Sequence, residues 1–526
     1  IDEGGKTVDA VSVPLGLRTF EFTKDNGFLL NGKRLQIQGT CNHHDMGALG
    51  SAVNRRAIER QLEILKEMGD NALRTSHNPP APEFLQLADE MGFVVMDESF
   101  DEWKHGKTPH GYGRFFDDWS ERDLTRMIER DRNHPCVVMW SIGNEIPEQR
   151  SANGGEMAKR LSDIAHKVDS SRPTVSACNN PNDAVRTGFA DALDVMGINY
   201  NIRNYERDKG RTLIGSETAS ALSTRGEYAL VLNDKGEVEK LMPPKKRPEH
   251  QCSSYDIDAP PWGCTAETSL MAVKKAPWLA GEFVWTGFDY IGEPTPFDRP
   301  SNDKSPEAVH QWPARSSYFG IVDLAGFPKD RFYIYQSQWT DKPMVHLLPH
   351  WNWEGWEGKK IPVEAYTNAD SVELFLNGKS LGEKKQDDLV RLHYEWSVPY
   401  EPGTLKAVAK KDGKQVATDE IVTAGKPAKL ELKADRSTID ADGNDLSYVT
   451  VTVVDKDGHV CPNADNELTF AISGPATIAG LDNGDPINHE AFQGTQHKAF
   501  HGLALAILKA KDSAGKATLK ATADGL

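Results

Sequence analysis

Short apolar runs alternate with amphipathic stretches along the first two thirds of the chain. The clearest run starts at the β-branched pair Val137 and Val138 and ends on Asn144 and Glu145. Its length and composition predict a strand that is buried on both faces. Residues 54–68, by contrast, place apolar side chains three and four positions apart, which predicts an amphipathic helix. The pattern therefore indicates alternating strands and helices.

This alternation continues until eight strands are predicted. The predicted strands are residues 35–39, 72–77, 93–98, 137–145, 174–177, 195–200, 211–217 and 278–285, and the helices between them include 54–68, 82–91, 118–132 and 155–168, the first two ended by Gly69 and Gly92. Eight such units over roughly 300 residues predict a TIM barrel, (β/α)8, over residues 23–340. A doubly wound sheet would need a glycine-rich phosphate loop after its first strand, and the chain has none there.

The segments on either side of the barrel have a different pattern. Residues 17–22 alternate like a strand, so residues 1–22 are interpreted as the remnant of a preceding immunoglobulin-like sandwich domain. Asn31-Gly32 predicts a hairpin turn directly after it. Beyond residue 341 the helical periodicity disappears, which predicts a β-sandwich over 341–424 and an immunoglobulin-like, invasin-type sandwich over 425–526. The predicted fold class is a multidomain chain with a barrel followed by two β-sandwich domains.

Composition narrows the classes of partner. The formal net charge of −17 argues against nucleic acid or an anionic membrane as a partner. No apolar run reaches about 18 residues, so no transmembrane span is predicted. Twelve tryptophans indicate sizeable packed cores and surfaces that stack on carbohydrate. Cys252 and Cys264 are near enough in sequence to form a disulfide, although free thiols are the expected state.

Two glutamates stand at the ends of predicted barrel strands. Glu145 ends the fourth strand and Glu217 ends the seventh. The carboxyl ends of the strands carry the chemistry in barrels of this type. A carboxylate pair can divide the cleavage of a glycosidic bond between an ionised nucleophile and a proton donor that later acts as a base. The separation of the two carboxyl groups, which distinguishes retention from inversion, is open at this stage.

The remaining strand ends contribute further polar and aromatic groups. These are His43, His44, Asp45, Arg74, His77, Asp97, Glu98, Asn199, Tyr200, Trp285 and Asp289. Such a mixture suits a sugar site, because hydroxyl groups take directional hydrogen bonds and a ring face stacks on an aromatic side chain. A metal site built from His43, His44, Asp45 and His77 is the competing interpretation. The HxH and HExxH spacings are absent, so no catalytic metal ion is predicted.

Four motifs carry a resemblance to a known family. They are Arg74–Pro79 (RTSHNP), Trp140–Glu145 (WSIGNE), Gly215–Glu217 (GSE) and Phe283–Trp285 (FVW). At these residues the chain resembles glycoside hydrolase family 2, whose members include retaining β-galactosidases, β-glucuronidases and β-mannosidases. The resemblance implies that Glu145 is the acid/base and Glu217 the nucleophile. It also implies that Asn144 binds the 2-hydroxyl group, that Tyr200 hydrogen-bonds the nucleophile, and that His43, His77 and Trp285 line the subsite for the cleaved sugar. Arg74 and Asp97, as polar strand ends, complete the predicted substrate-binding set.

The resemblance also bears on the substrate. Family β-glucuronidases carry an Asn-x-Lys pair before the glycine that is Gly320 here, and this chain has Ser317-Tyr318-Phe319 in its place. Holding a sugar carboxylate in a partly dry pocket requires a cation. An exo-acting β-galactosidase is therefore the leading hypothesis, with β-glucuronidase, β-mannosidase or a non-catalytic carbohydrate-binding or adhesion protein as alternatives.

Several properties follow from the resemblance alone. The mechanism requires no cofactor; some members use magnesium or sodium near the acid/base, and ligands for such an ion are not matched in this chain. The expected partner is an oligosaccharide or polysaccharide, and homo-oligomerisation is left open. A periplasmic or extracellular location is expected. The chain begins Ile1-Asp2-Glu3 and lacks the family's jelly-roll domain, so it is expected to be a piece of a longer protein.

Overall fold

The structure is a computed structural model that describes residues 5, 7–10, 15–240, 250–297 and 314–526. Two compact units are distinguished within the chain. The first comprises residues 1–37, 71–216 and 276–281, and the second comprises residues 38–70, 217–275 and 282–526.

A small antiparallel sheet precedes the barrel. Its strands are β1 (Phe20–Thr23), β2 (Gly27–Leu30) and β3 (Lys33–Arg34). Asn31 and Gly32 both have positive φ, 51° and 73°, so the predicted Asn-Gly hairpin is confirmed. The described residues before Phe20 form no strand, and β1 pairs with β2. Strand β1, which the sequence assigned to a preceding sandwich, therefore belongs to this small sheet, because it pairs with β2 directly after it. The preceding domain itself stays a prediction.

Eight strands close into a barrel, which confirms the predicted fold. They are β4 (Ile37–Asn42), β5 (Ala72–Thr75), β6 (Val94–Glu98), β7 (Val137–Asn144), β8 (Thr174–Cys178), β9 (Val195–Asn199), β10 (Leu213–Ala219) and, after the hairpin of β11 (Leu230–Leu232) and β12 (Val238–Lys240), β13 (Gly281–Trp285). The ladders from β5 to β9 are parallel. Every residue of β5 to β9 is buried, which explains their continuous apolar runs.

Helices accompany the barrel strands. They are α1 (Arg55–Met68), α2 (Pro82–Met91), α3 (Phe116–Asp131), α4 (Gly154–Val168), α5 (Pro181–Arg186), α6 (Asn204–Arg207), α7 (Ala266–Lys274) and α8 (Asp330–Trp339), with short 3₁₀ turns at Gly47–Leu49, Tyr112–Arg114, Pro147–Arg150 and Ala190–Ala192. A further 3₁₀ turn at Gln386–Asp388 lies beyond the barrel. Asn54 caps α1 by accepting a hydrogen bond from the Ala57 amide. Gly69 and Gly92 end α1 and α2 in the left-handed conformation, so both predicted stops are confirmed.

The following segment is a seven-stranded sandwich. Its strands are β14 (Val345–Leu348), β15 (Lys360–Thr367), β16 (Ser371–Leu376), β17 (Lys379–Lys385), β18 (His393–Pro399), β19 (Thr404–Lys411) and β20 (Lys414–Val422). They form the sheets β14-β15-β18 and β17-β16-β19-β20. The core between them contains the fully buried Trp351 together with alternate residues of the strands.

The last segment is a second sandwich. Its strands are β21 (Lys429–Ala434), β22 (Leu446–Val454), β23 (Glu467–Ser473), β24 (Ala476–Asp482), β25 (Gln496–Lys498), β26 (Leu503–Ala510) and β27 (Thr518–Ala523). They form the sheets β21-β22-β26-β24 and β25-β23-β27. Helix α1 contacts this sandwich through an ion pair of 2.8 Å between Arg56 and Asp435.

All six cysteines are free thiols, so Cys252 and Cys264 are not joined. Among the described helices, none has the length and apolar character needed to cross a membrane.

Candidate active site

A buried ion pair lies at the ends of β5 and β6. Arg74 and Glu98 are both fully buried, and Arg74 Nη2 lies 2.9 Å from each carboxylate oxygen. Arg74 also donates to Ser216 O at 2.9 Å and to Asn144 Oδ1 at 2.8 Å. Burial raises the pKa of Glu98, but the charge of Arg74 and the hydrogen bond from His77 outweigh it and hold the pKa below its usual value. The pair therefore stays ionised and fixes the amide of Asn144.

His77 joins this pair to the rest of the site. Its Nδ1 lies 2.7 Å from Glu98 Oε1, and its Nε2 lies 3.3 Å from Asn144 Nδ2. The imidazole thus lies between the Glu98 carboxylate at Nδ1 and the Asn144 amide at Nε2. Asn144 Nδ2 also donates to Asp101 Oδ1 at 3.0 Å. These contacts set the direction of the Asn144 amide.

Asn199, at the end of β9, holds Glu145. Its Nδ2 donates to Glu145 Oε1 at 3.0 Å and to Asn144 Oδ1 at 3.2 Å, and its Oδ1 accepts from Ser216 Oγ at 2.7 Å. Glu145 follows β7 with φ of 48°, a left-handed conformation that is uncommon for a residue with a side chain. The turn takes Glu145 out of the strand, and Asn199 fixes one of its carboxylate oxygens.

Glu217 lies in β10, in the second compact unit, and is only 2% exposed. The next residue, Thr218, donates to Glu282 Oε2 at 2.7 Å. Burial raises the pKa of Glu282 to about 7. The pKa of Tyr290 is also raised, by burial first and by Glu293 next, and the charge of Glu217 contributes to the shift. Glu217 is therefore close enough to Tyr290 to act on it electrostatically.

Three rings form an aromatic wall in the same unit. The His43 ring centroid lies 5.2 Å from that of Trp285 and 4.3 Å from that of Tyr290, and Trp285 and Tyr290 are 5.8 Å apart. All three pairs meet edge to face. Aromatic side chains of this kind are the usual stacking partners of sugar rings.

The structure corrects the placement of Asp97. Consecutive residues of a strand point to opposite faces, and Glu98 takes the face towards Arg74. Asp97 instead lies beside Asp131 and Arg130 of α3, where burial and the Asp131 carboxylate raise its pKa well above the usual value. Asp97 is therefore not among the residues around Arg74 and His77.

Sequence reasoning missed part of this arrangement. Glu98 and Asn199 were predicted only as polar strand ends, and Asp101 and Tyr290 were not predicted as site residues. The available signal was Arg74, because a buried arginine in a barrel strand requires a carboxylate partner.

For three other predicted site residues, Tyr200, His44 and Asp45, the structure shows where each lies in the fold. Tyr200 directly follows β9 with φ of 58°, and its hydrogen bond to the nucleophile stays a prediction. His44 Nε2 lies 3.0 Å from Ser51 O, and Asp45 accepts the amides of Gly47 and Ile291, so both brace their loop.

Two groups of described residues bring three donor atoms together as a metal ion would need. They are Asp89, His134 and Cys136, and Glu364, His393 and Glu395. Neither group includes His43, His44, Asp45 or His77, the residues of the metal alternative. Burial lowers the pKa of His393, but Glu267 and the other carboxylates outweigh it and raise the pKa to about 10.

A closed (β/α)8 barrel in which Glu145 follows the fourth strand and Glu217 lies near the end of the seventh has its carboxylates where barrel enzymes carry their chemistry. The family description "Glycosyl hydrolases family 2, TIM barrel domain" matches residues 22–286, and "Glycoside hydrolase family 2 C-terminal domain 5" matches residues 430–526. A domain of unknown function matches residues 358–417. The chain belongs to glycoside hydrolase family 2.

Named relatives agree with this assignment. The chain is 46% identical to "Beta-galactosidase BoGH2A" of Bacteroides ovatus, over 99% of this chain and 64% of that protein. It is 35% identical to a "Putative beta-glucuronidase" of Formosa agariphila, over 92% of this chain and 47% of that protein. A crystal structure of a beta-glycosidase from Bacteroides vulgatus superposes with a TM-score of 0.86 at 36% identity, covering 100% of this chain and 67% of that one. The chain thus spans less than two thirds of the length of these two curated relatives.

Proposed function

We propose that this protein is a retaining, exo-acting β-galactosidase in which Glu217 is the nucleophile and Glu145 the acid/base. The observation that carries the proposal is that Glu145 directly follows β7 and Glu217 lies near the end of β10, two strands of one closed barrel. Asn199 fixes Glu145, and Glu217 lies buried in the unit that contains the aromatic wall. Two carboxylates and a stacking surface are what a retaining glycosidase needs.

The proposed reaction has two displacements. In the first, Glu217 attacks the anomeric carbon, the glycosidic bond breaks, and Glu145 gives its proton to the departing oxygen. In the second, Glu145 takes a proton from water, the water oxygen attacks the anomeric carbon, and the bond to Glu217 breaks. Asn144, fixed by Arg74 and His77, is assigned to the 2-hydroxyl group, where a hydrogen bond strengthens in the transition state.

The segment before Gly320 supports a neutral sugar. Ser317 Oγ donates to Asp289 Oδ1 at 3.0 Å, and the Gly320 amide donates to the same oxygen at 2.7 Å. The ammonium group of Lys329 is buried and forms an ion pair of 2.6 Å with Asp289. This cation already has a partner, so it does not serve a sugar carboxylate. The name of the Bacteroides ovatus relative favours galactose over glucuronic acid for the same position.

The experiment compares turnover of p-nitrophenyl β-galactoside, β-glucuronide, β-mannoside and β-glucoside. We expect the galactoside to be hydrolysed fastest. Glu217→Ala and Glu145→Ala should each lower kcat by at least about 10³-fold with the fold intact. Azide should restore turnover in Glu217→Ala with a product of inverted configuration, because a small anion can attack the vacated face.

Asp97→Asn is the matched control. It removes a buried carboxyl group that lies outside the cluster, so its turnover should stay within about twofold of the parent. If the glucuronide or the mannoside is hydrolysed fastest, the protein is a β-glucuronidase or a β-mannosidase and the galactoside assignment is wrong. Parental turnover in either glutamate variant would refute the assigned roles, and binding of galactosides with no turnover of any glycoside would favour the carbohydrate-binding alternative.

The family resemblance supports one further proposal, a periplasmic or cell-surface location.

A further inference from the structure

A cavity in the second compact unit is lined by none of the candidate active-site residues. Its volume is about 720 Å³, within the range of small-molecule binding pockets. Three parts of the chain line it: the insertion after β10, the loop between β14 and β15, and the last sandwich. Its lining includes Tyr228, His350, Trp353, Trp356, Asn463 and His501. We call it the tryptophan cavity.

The tryptophans of the β14–β15 loop differ in burial. Trp351 is fully buried and donates from Nε1 to Glu401 O at 3.0 Å, so it anchors the loop in the sandwich core. Trp353 and Trp356 are only half-buried, and their ring centroids are 5.4 Å apart at 49°. Trp353 Nε1 donates to His350 O at 2.8 Å. The two outer rings are thus held in place while part of their surface faces the cavity.

Two further rings support this surface. His350 stacks on Trp353 with centroids 4.8 Å apart and planes at 22°, and Tyr228 meets both rings edge to face. Burial lowers the pKa of His350 to about 3, so its ring is neutral at physiological pH. The Tyr228 hydroxyl group is fixed by a hydrogen bond of 3.0 Å to Asp330. These contacts hold the rings of the tryptophan cavity in one uncharged aromatic surface.

The edge of the cavity is polar. Glu227 Oε1 lies 2.9 Å from His501 Nε2, and Asn463 Nδ2 lies 3.4 Å from Asn352 O. The exposed carboxylate of Glu354 stands beside the tryptophans. A packing gap in a protein core is apolar throughout, whereas this cavity joins aromatic faces to carboxylate, amide and imidazole groups. Sugars present the complementary pattern of apolar ring faces and hydroxyl groups.

We propose that the tryptophan cavity binds a neutral oligosaccharide segment at a site separate from the candidate active site. Sugar rings stack on Trp353 and Trp356, and hydroxyl groups bond to the polar edge. The site keeps a polysaccharide on the protein while the barrel removes its terminal residues. The choice of galactose-containing chains rests on the proposed function; the stacking argument stands without it.

Affinity electrophoresis in gels with and without soluble β-galactan tests the proposal. The protein used is the full chain carrying Glu217→Gln, so that the polymer is not degraded. We expect galactan to retard it, and we expect Trp353→Ala/Trp356→Ala to raise the apparent Kd at least tenfold, or about 1.4 kcal/mol. Trp119→Ala is the matched control, because this tryptophan is 41% exposed on α3. It should leave the retardation unchanged.

Conservative variants guard against a folding effect, since Trp353 also packs on the sandwich core. Trp353→Phe should keep most of the binding and Trp353→Leu should lose it, because only phenylalanine retains a flat ring. In the parent with Glu217 intact, Trp356→Ala should leave hydrolysis of p-nitrophenyl β-galactoside unchanged. If the chain hydrolyses this small substrate but galactan does not retard it, the cavity proposal is wrong and the proposed function still stands. The same conclusion follows if galactan retards the tryptophan variants as much as the parent. Retardation lost in Trp353→Leu but kept in Trp353→Phe would support it, whatever the turnover on small substrates.

Discussion

At the scale of single residues, Asp97 and Glu98 show how environment separates two adjacent carboxyl groups. Glu98 faces Arg74 and His77, which hold its pKa below the usual value against the effect of burial. Asp97 faces Asp131, and burial with this like charge raises its pKa well above the usual value. The same strand therefore holds one carboxyl group whose ionised form is stabilised and one whose ionised form is disfavoured.

This difference predicts unequal effects of amide substitution. Glu98→Gln leaves Arg74 buried without a charged partner and should cost about 3–5 kcal/mol of unfolding free energy at pH 7, measured by urea denaturation. Asp97→Asn removes a carboxyl group that burial and Asp131 disfavour as an anion, and it should cost less than about 1 kcal/mol. Because the folded pKa of Glu98 is lowered, its contribution is present above its unfolded pKa and is lost as the pH falls through the folded value. The gap between Glu98→Gln and the parent should therefore narrow in acid, and equal costs for the two variants at pH 7 would contradict the assignment.

At the scale of elements, two glycines end two helices in the same way but in different surroundings. Gly69 has φ of 102° and Gly92 has φ of 75°, both left-handed. A Cβ atom on Gly69 would lie 2.9 Å from backbone and side-chain atoms of Trp339, whereas a Cβ atom on Gly92 would meet nothing within 4 Å. Both glycines are needed for backbone conformation, but only Gly69 is also needed for packing.

Alanine substitution should separate these two needs. Gly92→Ala should cost about 1 kcal/mol, the penalty of a left-handed conformation for a residue with a Cβ atom. Gly69→Ala should cost roughly 1–3 kcal/mol more, because Trp339 in α8 must move. Thermal and urea unfolding of both variants measure the difference. An equal loss in the two variants would show that the close approach of Trp339 does not matter for stability.

At the scale of the whole molecule, charged groups connect segments that are distant in sequence. His393 of β18 lies 2.7 Å from Glu267 of α7, and Lys240 of β12 forms an ion pair with Glu364 of β15. Burial lowers the pKa of His393, yet these carboxylates raise it to about 10. The barrel helix α7 and the first sandwich are thus joined by a buried imidazolium.

A pH-dependent contribution to stability follows. The folded pKa of His393 lies above its unfolded value, so its contribution is fully present below about pH 6.5 and is lost as the pH rises through about 10. His393→Gln should therefore destabilise the protein by about 3–5 kcal/mol at pH 6. The cost should be much smaller at pH 10.5. Urea denaturation at the two pH values, with Arg126→Gln on the exposed face of α3 as a control, measures the change. A cost that does not depend on pH would mean that His393 is neutral in the folded protein.

The helices and strands of the barrel were largely determined by local sequence. Asn54 and Gly69 mark the ends of α1, and the buried strands β5 to β9 were recognisable as apolar runs, because capping and burial act within a few residues. Glu145 and Glu217 were also recognisable as polar residues that end such runs. The Asn31-Gly32 hairpin was specified by two adjacent residues.

Only the tertiary structure decided which of these polar residues come together. A strand in which every residue is buried carries no sign of which face meets which neighbour, so Asp97 and Glu98 could not be distinguished from sequence. The link from Asn199 to Glu145 joins side chains 54 positions apart, and the tryptophan cavity joins three segments of the chain. The sequence by itself therefore determined the elements and the candidate glutamates, because those signals are local. The partners of each buried charge and the composition of each cavity were decided by folding, because they depend on contacts between distant residues.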